Sequence, residues 1–95
     1  TMADLEHYKA KLNAQLDEWK ADLDKLKAKA DGKSADAKKE LNESIDALEA
    51  KLAQGRSKLE ELKGASAEAF ESLREGANSA WDSIKDAFDK SKSKF

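Results

Sequence analysis

Apolar residues return along this chain every three or four positions, the spacing that gathers side chains on one face of an α-helix. Wound at about 100° per residue, Leu5, Tyr8, Leu12, Leu16, Trp19, Leu23, Leu26 and Ala30 fall within an arc of about 80°. A second stripe comprises Leu41, Ile45, Leu48, Leu52, Leu59 and Leu62, interrupted on the same face by Gly55. The third comprises Phe70, Leu73, Ala77, Trp81, Ile84, Phe88 and Phe95. Its four aromatic members span an arc of only about 40°.

Two zones of small residues separate the stripes. In Asp31-Gly32-Lys33-Ser34, Gly32 suits the left-handed residue that follows a helix and Ser34 suits the N-cap of the next. In Gly64-Ala65-Ser66-Ala67-Glu68, Gly64 can end a helix and Ser66 can cap another. The pattern therefore predicts helices over about 3–30, 35–63 and 67–93, equal enough in length for an antiparallel three-helix bundle. Charges agree at the first and third segments. Asp4 and Glu6 open the first and Lys25, Lys27 and Lys29 close it, while Glu68 and Glu71 open the third and Lys90, Lys92 and Lys94 close it. Acid-to-base pairs three apart, such as Glu6/Lys9, Asp24/Lys27, Glu60/Lys63 and Glu71/Arg74, add support on the solvated faces.

One regularity favours a different architecture. Tyr8, Trp19, Ala30, Leu41 and Leu52 are spaced by eleven residues, and so are Leu48, Leu59, Phe70 and Trp81. Eleven residues in three turns keeps a stripe nearly straight along one continuous helix. The alternative is thus a helical hairpin whose second helix runs unbroken over 34–95, about 90 Å long, and which must dimerise to cover its stripe.

Composition reinforces the helical reading. The 95 residues suit a single domain over 1–95, and 17 of them are alanine and 11 leucine, with no valine, proline or cysteine. Mixed charges with a net −2 lack the basic patch that nucleic acid requires. No run of about 18 apolar residues offers a membrane span, and Met2-Ala3-Asp4-Leu5-Glu6 lacks the basic start of a secretory signal. Thr1 reads as an expression remnant ahead of a start at Met2, and the chain as cytoplasmic.

Little in the sequence resembles a catalytic site. His7 is the sole histidine, and although Asp4 stands one turn away, Lys11 beside it repels a cation, so no metal site is expected. Glu40 and Glu43, or Glu60 and Glu61, lack the inward Glu-x-x-His pairing of helical di-metal centres. The nine serines have no histidine on their own segments to activate them. Asp31-Gly32-Lys33-Ser34 lacks the first glycine and the preceding strand of a phosphate loop. No cofactor site is read. The feature with functional content is the third stripe: Phe70, Leu73, Trp81, Ile84, Phe88 and Phe95 form the candidate interaction face, and the plainer reading of the same stripe is the third wall of a core. It would serve a protein partner or a second copy, or a membrane surface. Lipid attraction is expected to be weak, since Glu71, Glu75, Asp82, Asp86 and Asp89 offset Arg74, Lys85 and the terminal lysines.

The run Leu59-Glu60-Glu61-Leu62-Lys63-Gly64-Ala65-Ser66, then Ala69-Phe70, Leu73, Ala80-Trp81-Asp82, Lys85, Ala87-Phe88 and Lys94-Phe95, resembles small bacterial coiled-coil proteins of the stress-response class. Leu16-Asp17-Glu18-Trp19 and Leu23-Asp24-Lys25-Leu26 extend the likeness over most of the chain. Gly32 and Gly55 depart from the more continuous helices of that class. The resemblance implies no enzyme activity and no assigned ligand. The expected function is a non-enzymatic helical interaction or stress-protection protein acting through its apolar stripe. The alternative is reversible binding of the third segment to membranes or other hydrophobic surfaces.

Overall fold

Alanine, leucine, lysine and glutamate along each segment favour helix, and the computed structural model, which describes residues 2–94 (side chains from residue 4), forms it in three stretches. These are α1 (Met2–Asp31), α2 (Ala35–Lys63) and α3 (Ala67–Lys92). Linkers of a few residues allow only antiparallel neighbours, so α1 and α3 run parallel to each other and antiparallel to α2. The result is an all-helical antiparallel bundle of 51 × 19 × 17 Å. Helix α2 packs along both partners, whereas α1 and α3 touch each other less.

The long second helix over 34–95 does not form, because the chain leaves helical geometry at Gly64–Ser66. Ser66 is extended in ψ (φ −68°, ψ 168°), and its hydroxyl accepts the Ala69 N–H at 3.2 Å. That bond satisfies one of the orphan donors at a helix start and stabilises by about 1 kcal/mol. Folding back also gives the α3 stripe the cover that a lone straight arm would have to seek from another molecule.

The turns differ from expectation in detail. No described residue, Gly32 and Gly64 included, has positive φ, and Gly64 sits at φ −88°, ψ −3° with its N–H on Glu60 O at 3.2 Å. Tight right-handed turns therefore end α1 and α2 without the left-handed residue expected of Gly32. At Ser34 the backbone is extended as an N-cap should be (φ −62°, ψ 162°), but the hydroxyl makes no capping bond.

The three stripes meet along the axis. Leu5, Leu12, Leu16, Trp19, Leu23, Leu26 and Ala30 of α1 are buried against Leu41, Ile45, Leu48, Leu59 and Leu62 of α2. Phe70, Ala77, Trp81, Ile84 and Phe88 of α3 close the core, with Tyr8, Leu52 and Leu73 partly buried at its edge. Gly55, which breaks the second stripe in sequence, lies where side chains of α1 and α3 converge on the α2 backbone. A Cβ there would stand 2.8 Å from Ile84 Cδ1, 3.0 Å from Leu16 Cδ2 and 3.7 Å from Trp81 Cη2.

The glycines of α2 and α3 separate packing from propensity. Gly55→Leu overfills the crossing point and is expected to destabilise by about 3 kcal/mol. Gly76 is exposed, and a Cβ added there would meet nothing within 4 Å, so Gly76→Ala should stabilise by about 1 kcal/mol and raise Tm by about 4–8 °C. Thermal unfolding followed by circular dichroism checks both; a tolerated leucine at 55 would mean the helices do not meet there.

Candidate functional site

The third stripe is the inner wall of the bundle. Phe70, Trp81, Ile84 and Phe88 are buried, Leu73 is partly buried, and Phe95 lies outside the described residues. Of the two readings of this stripe, the closed bundle has it as the third wall of the core: α1 and α2 cover it, because three stripes of matched length bury one another. Trp19 of α1 stacks on Phe88 (5.9 Å between centroids, 12° between planes) and tilts against Trp81 (6.1 Å, 45°). The Trp81 indole Nε1–H is buried with no acceptor. Such a donor costs about 1–3 kcal/mol, so α3 is seated with a penalty inside an otherwise apolar layer.

A concave surface lies where α1 and α3 begin, an open cleft of about 740 Å³. Leu5, Tyr8 and Phe70 supply its apolar floor, and Asp4, His7, Lys11, Glu71 and Arg74 its polar rim. Tyr8 organises it. Its ring meets Phe70 edge-on (5.4 Å, 89°), the Arg74 guanidinium lies 5.4 Å above its centroid, and its hydroxyl donates to Asn78 Oδ1 on α3. Arg74 also reaches Glu71 at 4.0 Å. Burial pushes the Tyr8 phenol above its ordinary value of 10.0, with the Arg74 charge opposing the shift.

The rim carries two acids and two permanent cations, so it has no net charge for drawing in an ion. His7 is exposed, and no described group of three or more His, Asp or Glu side chains gathers closely enough to hold a metal ion. No serine lines the cleft. Its geometry makes it the seam between α1 and α3, held by ring contacts.

The remaining polar ties between helices lie at the surface. Lys27, expected to pair with Asp24, makes its short contact with Glu49 of α2 at 2.7 Å, and that hydrogen bond holds its ammonium above the usual lysine range. Lys51 donates to Ser83 Oγ at 2.8 Å between α2 and α3, and Lys92 stands 3.7 Å from Asp22 between α3 and α1. Of the expected pairs within helices, Glu6/Lys9 and Glu60/Lys63 form at 3.6 Å and Glu71/Arg74 at 4.0 Å. Exposed pairs of this kind contribute at most about 1 kcal/mol each. The Tyr8–Asn78 and Tyr8–Arg74 contacts join residues far apart in sequence, and no local signal could have found them.

Tyr8 is the sole tyrosine, so tyrosinate absorbance reads it directly. Its midpoint is expected above 10 in the folded chain and higher still in Arg74→Ala, which removes the opposing charge. Because the folded phenol holds its proton more tightly than the unfolded one, this group's stabilisation is complete below pH 10 and is lost as pH rises through the folded midpoint. A midpoint at or below 10 would mean that Tyr8 is not seated against α3.

Comparison with known protein families, with characterised proteins and with solved structures finds no match.

Proposed function

We propose that this chain is a non-enzymatic helical interaction module of the stress-protection kind, which works by lending its apolar stripe to exposed hydrophobic segments of other proteins. One observation carries the reading: the large apolar side chains described all lie on a single inward stripe, while the fully exposed apolar positions are alanines. A closed bundle of this design favours dispersal among other proteins, since its described residues present alanine rather than large apolar side chains to solvent. Opening it uncovers a long amphipathic surface, the groove-and-helix chemistry by which helical proteins hold apolar partners.

Helix α3 is the piece best suited to open. Its backbone approaches α1 at fewer places than that of α2 does, and it carries a buried indole donor without an acceptor. Its exposed face is rich in both acids and bases, with Glu71, Glu75, Asp82, Asp86 and Asp89 among Arg74, Lys85 and Lys90. That balance favours a protein partner over an anionic lipid surface.

The test is protection of a heat-labile globular protein from aggregation, read by light scattering. The intact chain is expected to suppress scattering, with Trp19 and Trp81 becoming more open to acrylamide while the client is held. Leu73→Lys alters the partly buried edge of the α3 stripe, and should weaken protection while helix content stays unchanged. Undiminished scattering with the intact chain would overturn the reading, and equal protection by Leu73→Lys would remove the stripe from it.

A further inference from the structure

We infer that the bundle can exchange α3 between two copies of the chain, the Gly64–Ser66 joint straightening so that each α3 fills the α1–α2 groove of the other copy. The inference requires no foreign partner and stands whether or not the chain protects other proteins.

Three observations converge on this joint. The first is backbone geometry. Gly64 already has right-handed dihedrals, and its N–H already bonds Glu60 O four residues back, as in a continuing helix. Ser66 has a helical φ of −68° and departs from helix in its ψ of 168°. No described residue near the turn has a left-handed conformation that would hold the chain bent.

The second is the phase of the stripe. Gly55, Leu59, Leu62, Ser66, Phe70, Leu73, Ala77, Trp81, Ile84 and Phe88 follow steps of four, three and four residues across the joint without a reset. That is the eleven-residue pattern of a straight, unbroken helix face. Independent helices joined by a turn have no reason to keep phase. A helix from Ala35 to Lys92 would be about 87 Å long, and its α3 half would present to a second copy the same face it now presents to its own α1 and α2.

The third distinguishes this joint from the other. Between Leu26 and Leu41 the stripe holds only small side chains, and Lys38 ties α2 back to Asp31 at 3.6 Å across that turn. Between Leu62 and Phe70 only one turn of large apolar positions is missing, and Ala65 is packed against the core there. A fused helix therefore covers more at Gly64–Ser66 than at Gly32–Ser34. Every apolar contact of the closed bundle is remade in the exchanged dimer, so the balance rests on the joint and on chain concentration.

The joint can be locked either way by substitution. Ala67 is the first residue of α3, where proline suits a helix start, and the extended Ser66 before it suits a residue preceding proline. Ala67→Pro is thus compatible with the closed bundle but breaks a helix running through 67. Gly64→Ala with Ser66→Ala removes the cap and raises helix propensity across the turn. The chain is refolded from denaturant at high concentration, then measured by size-exclusion chromatography with multi-angle light scattering and by small-angle X-ray scattering.

The intact chain is expected to yield a dimer whose radius of gyration is roughly 27 Å, as for a rod about 90 Å long, against 15.5 Å for the single bundle. Gly64→Ala with Ser66→Ala should tighten dimerisation about tenfold, and Ala67→Pro should weaken it about a hundredfold with helix content unchanged. A chain that stays monomeric throughout, the double-alanine variant included, overturns the inference. So does a dimer that persists equally in Ala67→Pro, since it would be joined through some other surface.

Discussion

Trp19 lying flat on Phe88 and tilted against Trp81 joins α1 to α3, and the rest of the bundle is arranged around keeping that layer dry. Aromatic side chains bury the largest areas available to a chain of this size. Here they are confined to a few positions, with leucine filling the remainder of the stripe and alanine the margins. Gly55 follows from the same constraint. Two aliphatic side chains and the edge of Trp81 converge on α2, and only a residue without a side chain lets them close. Charge then has a secondary role, since the ion pairs sit at the rims of the seams and align helices that the stripe has already brought together.

The same constraint ties architecture to function. Among the described residues the large apolar groups line the chain's own core, and the surface carries alanine and mixed charge. Anything it does through hydrophobic contact requires the core to be shared. The proposed opening toward a client and the inferred exchange with a second copy are two ways of sharing it, and both would pass through α3. The right-handed Gly64 lowers the cost of either movement relative to a bundle with a left-handed glycine stop, and the unpaired Trp81 donor bears on opening alone.

Periodicity made most of the fold legible. The predicted limits of 3–30, 35–63 and 67–93 fall close to the observed helices because the stripes give way to small turn residues at the same places, with charge agreeing in the outer two. What periodicity could not decide was whether the chain turned at Gly64. Its phase is equally that of a straight rod, and the turn is favoured by the Ser66 cap together with the cover that α1 and α2 give the α3 stripe. Gly55 looked like a flaw in the second stripe because one helix alone does not show what crosses it. The aromatic face of α3 was legible as a face, but its burial depends on α1 and α2 having stripes of matching length. The Tyr8, Asn78 and Arg74 cluster was illegible, since its members are polar or amphipathic and meet only through the fold.

The central claim is that the stripes of α1 and α3 cover each other within one chain. Proton nuclear Overhauser contacts in dilute solution test it most directly, with equal mixtures of labelled and unlabelled chains separating contacts within a molecule from those between molecules. Cross-peaks between the Trp19 ring and the Phe88 and Trp81 rings, arising within a single chain, are predicted. Rings with no mutual contacts, and indole signals at their free-solution positions, would contradict the account.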